Sequence, residues 1–213
     1  YLNMTAILSA AIVTGAEAIH PGYGLLSENP KFAALCQECN LVFIGPDASI
    51  ISLMGDKDQA RKTMRAAGVP VIPGGDVMET LEEAMAAAEQ IGYPLLIKAR
   101  SGGGGRGIRR VDSHEEFVAA YKTASAEAES AFGDGAVYLE KFLYPAKHIE
   151  VQILADKTGE VICLGERNCS IQRKNQKLLE ESPSPALSDE IRQRMLETAV
   201  KAARAVKYEN AGT

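Results

Sequence analysis

The chain has 213 residues, of which 46% are hydrophobic and 24% are charged, so it is long enough to bury one or two cores. Its formal net charge of −5 argues against a general nucleic-acid-binding surface, because there is no overall basic field. No apolar run approaches the roughly 20 residues that a membrane-spanning helix needs. The four cysteines lack regular spacing, which indicates reduced thiols in a cytoplasmic protein. From the charge and the apolar runs we expect neither nucleic-acid nor membrane partners.

The first 55 residues alternate predicted helices and strands. The apolar spacing predicts a helix, a short strand, a second helix and a buried strand, in the order Ala6–Val13, Glu17–His20, Pro30–Cys39 and Leu41–Ile44. This order predicts a parallel sheet with helices packed across it. The segment His20–Asn29 follows the first strand, where open α/β sheets place ligands, but an ordinary turn explains it equally well.

The sequence Cys36-Gln-Glu-Cys39 has a spacing that redox centres and metal sites also use. Both cysteines and the neighbouring apolar residues fall on one helical face, which favours packing in a core. Cys163 and Cys169 lie in a predicted strand and supply no second pair of this kind. We therefore predict core cysteines and no structural metal.

The middle of the chain reads as a linker followed by a small unit. A helix over Asp56–Ala67 gives way to the Pro/Gly-rich segment Val71–Asp76, which we interpret as a domain boundary. Beyond it, two capping-box patterns predict the starts of helices, Thr80-x-x-Glu83 and Ser113-x-x-Glu116. A strand over Val137–Phe142 follows the second of these helices.

Between those two helices lies a glycine-rich stretch, Lys98–Gly107, with five glycines within six residues. Leu95–Ala99 has the length and bulk of a buried strand, and Ile108–Val111 reads as its antiparallel partner. Glycine can bring its backbone N–H groups close to another surface. With Arg106 beside them and Lys98 at the strand's end, such groups suit a polyphosphate.

Two better-known phosphate motifs do not fit this stretch. The dinucleotide fingerprint requires a helix after the glycines, where this sequence predicts a strand, and a Walker-type loop requires a final Gly-Lys-Ser/Thr. We interpret the stretch as a glycine hairpin that closes over a nucleotide. The alternative is a surface hairpin without a ligand.

The last third begins with a strand in which polar and apolar residues alternate. His148, Glu150 and Gln152 share one face, and Val161–Leu164 returns as the second strand of a hairpin. We expect the polar face to be solvated. The charged stretch Glu166–Glu181 suits either a small anion or a charged surface loop. A final helix is predicted to bury one apolar stripe, comprising Ile191, Met195, Leu196, Ala199, Val200 and Ala203.

Six separated segments together resemble the biotin carboxylase component of biotin-dependent carboxylases, an ATP-grasp enzyme. In chain order they are His20–Asn29, Met54–Lys57, Lys98–Gly107, Glu140–Leu143, His148–Gln152 and Cys169–Lys177. The resemblance runs along the whole chain and implies an α/β (α+β ATP-grasp) fold. The implied parts are a partial Rossmann-like N-terminal domain, a connecting helix and linker, a glycine-lid domain and the beginning of a mainly antiparallel C-terminal domain, at residues 1–55, 56–72, 73–143 and 144–213.

The resemblance also implies a reaction. The enzyme would use ATP with Mg²⁺ or Mn²⁺ and bicarbonate to form carboxyphosphate, and would then carboxylate biotin on a carrier protein, forming a C–N bond. Its implied partners are a biotin carboxyl carrier protein or domain, a carboxyltransferase and a second copy in a homodimer. Acetyl-CoA carboxylase, which serves fatty acid synthesis, is one such system, but the acyl acceptor cannot be read from this chain. A non-catalytic nucleotide-binding module and another ATP-grasp ligase, such as half of a carbamoyl-phosphate synthetase, remain alternatives.

The resemblance assigns roles residue by residue. Lys177 would act at the catalytic, bicarbonate-binding centre. Asn175 stands where some relatives have a histidine near the ribose. The implied ATP-binding residues are Lys57, Lys98, Gly104, Gly105, Glu140, Lys141, Phe142, Leu143, His148, Gln172 and Asn175. The carboxylates that hold Mg²⁺ are expected beyond Thr213, and the first strand of the N-terminal domain is expected before Tyr1. We therefore expect these residues alone not to carboxylate biotin.

Overall fold

The computed structural model describes residues 1–78, 80–101, 107–173 and 176–213 and shows an α/β protein. Its helices are α1 (Met4–Thr14), α2 (Pro30–Glu38), α3 (Ala48–Gly55), α4 (Lys57–Ala66), α5 (Leu81–Ile91), α6 (His114–Phe132) and α7 (Asp189–Ala205). Its strands are β1 (Ala18–Ile19), β2 (Val42–Phe43), β3 (Leu95–Ala99), β4 (Ile108–Val111), β5 (Val137–Lys141), β6 (Ile149–Ala155), β7 (Val161–Arg173), β8 (Gln176–Glu181) and β9 (Asn210–Gly212). Within these ranges, no helix combines the length and apolarity that crossing a membrane requires.

The chain divides into two compact units. The first comprises Tyr1–Pro70, His148–Ser170 and Leu179–Thr213, and the second comprises Val71–Lys147 and Ile171–Leu178. The assignment of residues to the implied family domains stays a prediction.

In the first unit, β1 and β2 pair in parallel, which confirms the predicted βαβ order. The side chain of Asn29 caps α2 by accepting a hydrogen bond from the N–H of Phe32, and Pro30 occupies the first turn. Cys36 is fully buried in the core beside these helices, so its predicted packing role is confirmed. Burial is the main cause that raises the pKa of its thiol, and all four cysteines are free.

Two details near this sheet differ from the sequence prediction. The segment Leu41–Ile44 is not a buried strand, because Val42 is 54% exposed and Ile44 is 40% exposed. Helix α3 was not predicted at all. It begins after Asp47, whose Oδ1 accepts hydrogen bonds from the N–H and hydroxyl groups of Ser49, at 2.8 and 2.7 Å. These bonds lower the pKa of Asp47 and mark a helix start.

The other part of the first unit contains β6, which pairs antiparallel with β7 on one side and with β9 on the other, within the strand order β8–β7–β6–β9. The predicted hairpin of β6 and β7 is confirmed, but β7 continues to Arg173 and β8 follows, so the charged stretch 166–181 is mostly strand rather than loop. Helix α7 packs against β6 through Met195, Leu196, Ala199, Val200 and Ala203. Ile191 was predicted within this stripe but is 48% exposed.

The polar face of β6 is ordered rather than simply solvated. The guanidinium of Arg167 on β7 donates to Glu150 Oε1 at 2.7 Å and to Gln152 Oε1 at 3.0 Å. The amide of Gln152 donates in turn to the carbonyl of Gly212 on β9 at 2.9 Å. Polar side chains therefore tie three neighbouring strands together.

Glu166 is the most deeply buried carboxylate of this unit, with 3% of its surface exposed. Its Oε1 accepts hydrogen bonds from Arg192 Nε at 2.8 Å and from the Ser184 N–H at 3.1 Å. The Arg192 hydrogen bond is the largest cause that holds the pKa of Glu166 below its ordinary value of 4.5. The ionised form therefore stabilises the fold.

We expect Glu166→Gln to lower the free energy of unfolding at neutral pH by about 2 kcal/mol, because hydrogen bonds to a charged group are lost. A depressed folded pKa means that this contribution is fully present above pH 4.5 and disappears as the pH falls through the folded value. The difference in the free energy of unfolding between wild type and variant should therefore become smaller in acid. Urea unfolding between neutral and acidic pH measures this difference. Asp189→Asn, which changes the fully exposed partner of Arg192, is the control and should change little. A difference in unfolding free energy that did not change with pH would contradict the stabilising role given to ionised Glu166.

In the second unit, β4, β3 and β5 form an antiparallel sheet in that order, as the sequence predicted for β3 and β4. Helices α5 and α6 cover one face, where Leu95, Ile97 and Leu139 are fully buried. The capping box at Thr80 is confirmed, since its side chain and that of Glu83 both make the reciprocal bonds. The second pattern correctly predicted the start of α6, with Ser113 at the N-cap, although the Ser113 side chain makes no capping hydrogen bond.

Candidate functional site

The candidate site lies on the face of the β4–β3–β5 sheet that α5 and α6 do not cover. Strand alternation puts Leu95 and Ile97 in the core, so Lys98 projects to the opposite face. The register aligns Lys98 with Ile108 and Tyr138 in one row across this face. The next row holds Arg110, Leu96 and Glu140.

Lys98 and Glu140, two predicted ATP-binding residues, are brought together on this face. Lys98 Nζ donates to Glu140 Oε2 in an ion pair whose side chains are only 21% and 12% exposed. Poor solvation strengthens such a pair and makes the loss of one partner costly. The pair holds the Lys98 ammonium near the end of β3, at the start of the glycine-rich stretch.

Both ends of the glycine-rich stretch are anchored. On the entering side, Asp134 accepts hydrogen bonds from Arg100 at 3.0 Å and from Ser101 Oγ at 2.6 Å. The Ser101 bond, followed by the Arg100 bond, lowers the pKa of Asp134. On the leaving side, the carbonyl of Gly107 accepts from the N–H of Ala99 at 2.8 Å. These contacts fix where the stretch begins and ends.

Gly107 must be glycine for two reasons. Its φ of +72° lies in the left-handed region, and an added Cβ would stand 2.8 Å from the Cβ of Ala99. The predicted lid glycines, Gly104 and Gly105, lie outside the described residues, so their role stays a prediction.

The segment Glu140–Leu143, which the resemblance implies as a hinge that binds adenine, leaves β5 at the end of the sheet opposite the glycine-rich stretch, because Lys141 aligns with Leu95 and Val137 aligns with Ala99. The N–H of Lys141 donates to the Pro73 carbonyl at 2.8 Å, and that of Phe142 donates to the Pro94 carbonyl at 3.2 Å. Leu143 is 50% exposed. The hinge backbone is thus held by neighbouring segments.

The side chain of Lys141 has a structural role within the unit. Its Nζ donates to the carbonyls of Gly92 and Tyr93, at 3.1 and 2.9 Å, just beyond the end of α5. A cation at a helix C-terminus satisfies carbonyl groups that the helix leaves unbonded. Contact of this residue with ATP, as implied by the resemblance, would therefore come from its backbone.

The remaining predicted residues are distributed over both units. Gln172 on β7 and Lys177 on β8 belong to the second unit, where Lys177 is exposed. Lys57 begins α4 and is exposed, and His148 precedes β6; both belong to the first unit. Asn175 lies outside the described residues. The roles of these residues stay predictions.

Among the described residues, one set of three potential metal ligands comes together, formed by Glu150, Cys169 and Glu180 within 4.8 Å of one another. Arg167 already donates to Glu150 and lies 3.6 Å from a carboxylate oxygen of Glu180. A guanidinium that neutralises both carboxylates, beside a thiol, does not suit the oxygen-rich shell that Mg²⁺ prefers. This set fits an ion-pair network rather than a magnesium site.

Sequence reasoning missed two contributors to the site. Asp134 lies in Gly133-Asp-Gly135 and was given no role in the site, although aspartate commonly accepts bonds from nearby backbone and hydroxyl groups. Arg110 was interpreted as one residue of a short strand. In the structure its guanidinium lies 4.4 Å from the centroid of the Phe142 ring. Strand alternation places it on the face of Lys98, which is the signal that could have identified it.

The chain matches two protein-family models. Residues 1–51 match the N-terminal domain of biotin carboxylase, and residues 56–213 match the ATP-binding domain of the carbamoyl-phosphate synthase L chain. Biotin carboxylase 1 of Bacillus subtilis is 56% identical over an alignment that covers 100% of the chain and 48% of that protein. Biotin carboxylase of Nostoc sp. is 55% identical with the same coverage. The chain spans about half the length of these curated relatives.

Solved structures agree with these alignments. A biotin carboxylase–βγ-ATP complex from Campylobacter jejuni has a TM-score of 0.90 and 50% identity, covering 99% of this chain and 48% of that one. The biotin carboxylase domain dimer of the Hydrogenobacter thermophilus 2-oxoglutarate carboxylase, in complex with MgADP, ADP and bicarbonate, has a TM-score of 0.87 and 52% identity, covering 99% of this chain and 47% of that one. The chain therefore belongs to the biotin carboxylase family and carries residues of both its N-terminal domain and its ATP-grasp domain.

Proposed function

We propose that the protein containing this chain uses ATP and bicarbonate to carboxylate biotin on a carrier protein, by way of carboxyphosphate. The observation that carries this proposal is the placement of Lys98, which lies on the sheet face that α5 and α6 do not cover, beside an anchored glycine-rich stretch and paired with the first residue of the hinge. A cation flanked by backbone N–H groups suits the phosphates of a nucleotide. The relatives solved with a nucleotide support the same ligand class.

The residues of this chain would act mainly by positioning charge. Lys98 and Lys57 would contact the ATP phosphates, and the backbone of the hinge would bind adenine. His148, Gln172 and Asn175 would line the nucleotide site. Phosphoryl transfer depends largely on positioning and on cations that meet developing negative charge, which is the chemistry that these lysines supply.

Lys177 would act at the centre where bicarbonate meets the transferred phosphoryl group. Its ammonium would stabilise negative charge on bicarbonate and on the phosphoryl group that is transferred to it from ATP. Closure of Gly104 and Gly105 over the nucleotide would exclude water, which otherwise hydrolyses carboxyphosphate. Bound Mg²⁺ would neutralise the phosphate oxygens. The roles proposed for these residues require no metal ligand in the part of the chain that the structure describes.

The partners follow from the same proposal. A biotin carboxyl carrier protein or domain would deliver biotin, and a carboxyltransferase would use the carboxylated carrier. A homodimer is proposed because the related Hydrogenobacter thermophilus domain was solved as a dimer. Pyruvate carboxylase and 2-oxoglutarate carboxylase are candidate systems, since a subunit of each is among the relatives. Acetyl-CoA carboxylase stays a candidate as implied by the resemblance alone.

The direct test is ATP cleavage by the full-length enzyme with bicarbonate and free biotin. We expect phosphate release that requires bicarbonate and rises with biotin, together with carboxybiotin formation. Cleavage that responds to ammonia rather than biotin would instead support a carbamoyl-phosphate synthetase activity. ATP binding without any cleavage would support a non-catalytic nucleotide-binding module.

Nucleotide binding should also slow hydrogen exchange across residues 100–107 of the full-length enzyme. Backbone amides that contact phosphates become protected only when the nucleotide is present. Exchange should be measured by mass spectrometry with and without ATP, using the β6–β7 turn, Asp156–Gly159, as an internal control that should not change. Equal exchange at 100–107 in both states would argue against the lid role.

A further inference from the structure

The strand that leaves the glycine-rich stretch also contacts the predicted hinge. Arg110 on β4 places its guanidinium 4.4 Å from the centroid of the Phe142 ring. Its Nε donates to Asp112 Oδ1 at 2.8 Å, which orients the guanidinium plane. The ring of Phe142 lies nearly parallel to that of Tyr144, at 4° and with centroids 6.2 Å apart. A charged and aromatic stack therefore runs from β4 to the hinge.

The strand register explains why these groups meet. Arg110 and Glu140 both align with Leu96 on the central strand, so they share the face that α5 and α6 do not cover. Phe142 lies two residues beyond Glu140 and is held next to β3 by its bond to the Pro94 carbonyl. Its ring thus emerges on the same face, within reach of Arg110. The contact links an element next to the lid with the segment proposed to bind adenine.

We propose that Arg110 is a positioning residue for nucleotide binding, which holds Phe142 and so fixes the backbone of residues 140–143. The inference rests on the proposed function, because it assumes that this backbone binds the base. Attraction between a guanidinium and an aromatic face restrains the ring without touching the ligand. Arg110 therefore affects ATP binding through Phe142, while the chemical step depends on other groups.

The test is Arg110→Leu in the full-length enzyme. We expect the KM for ATP to rise about two- to fivefold while kcat stays unchanged, as the size of an exposed cation–π contact suggests. Arg110→Lys keeps the positive charge and should recover most of the ATP affinity. The control is Arg109→Leu on the same strand, since Arg109 pairs instead with Glu127 at 2.7 Å. Its KM for ATP should match the wild type.

A double-variant cycle with Phe142 separates positioning from general stability. If Arg110 acts through the ring, Arg110→Leu should add no further rise in KM to Phe142→Leu. This comparison distinguishes positioning from general stability even if Arg110→Leu lowers the unfolding temperature. The inference, but not the proposed function, would be overturned by additive effects on KM, by an unchanged KM in Arg110→Leu, or by an equal rise in KM in Arg109→Leu. A wild-type enzyme that neither binds nor cleaves ATP would overturn the proposed function and the inference with it.

Discussion

Replacing Lys177 with alanine in the full-length enzyme should lower turnover by about a hundredfold or more, while ATP affinity stays near normal. Removing one group that stabilises transition-state charge typically costs a factor of about 100 to 1,000 in kcat. Lys177 lies on the exposed strand β8, so its truncation should leave the core unchanged. Steady-state kinetics with varied ATP and bicarbonate should show a loss in kcat and in bicarbonate use, and equilibrium titration should show wild-type ATP binding.

The matched control for this variant is Lys157→Ala. Lys157 is an exposed lysine in the β6–β7 turn, so its removal changes the net charge equally but touches no predicted site residue. Its turnover should equal that of the wild type. The role given to Lys177 would be wrong if Lys177→Ala abolished ATP binding and kept the wild-type rate at saturating ATP.

The parts of the fold that were predictable from the sequence have strong local signals. The strand Leu95–Ala99 is apolar and short, and its neighbours in the chain are a helix cap and a run of glycines. The capping box at Thr80 and the Asn29-Pro30 helix start each satisfy backbone N–H groups within a few residues. Such signals depend little on tertiary contacts, so the sequence alone reveals them.

The missed strands have no such signal. In β8 every residue is exposed, and in β7 charged residues continue the strand beyond Leu164. A strand with neither face buried, such as β8, lacks the alternation of apolar and polar residues that marks a half-buried strand. The pairing with β7, rather than the local sequence, makes residues 176–181 a strand.

The candidate site likewise combines features that the local sequence predicts with features that depend on strand pairing. The lysine and the glycines of the Lys98–Gly107 stretch indicated phosphate binding because their chemistry is local. The partner of Lys98 was not predictable, since Glu140 lies 42 positions further along and reaches it only through strand pairing. The anchoring of Arg100 by Asp134, 34 positions away, likewise depends on the sheet.

Lys98→Met in the full-length enzyme should weaken ATP binding by about 1.5–3 kcal/mol, a factor of roughly 10 to 100, as expected for lost charge-assisted hydrogen bonds to phosphate. The same change removes the ammonium that pairs with Glu140. Because that carboxylate is only 12% exposed, the free energy of unfolding should fall by about 3 kcal/mol. Loss of ATP binding in this variant could therefore reflect either effect, and the two must be separated.

The double variant Lys98→Met/Glu140→Gln separates them, because it removes both charges of the pair. Its free energy of unfolding, measured in urea, should recover most of the loss seen in Lys98→Met, since both charges of the pair are then removed together. Its affinity for ATP, measured by calorimetry, should stay as weak as that of Lys98→Met. Lys62→Met, which breaks the exposed pair with Asp58, is the control and should change neither quantity appreciably. If the double variant regained wild-type ATP affinity, Lys98 would be a structural partner of Glu140 and not a ligand of the phosphates.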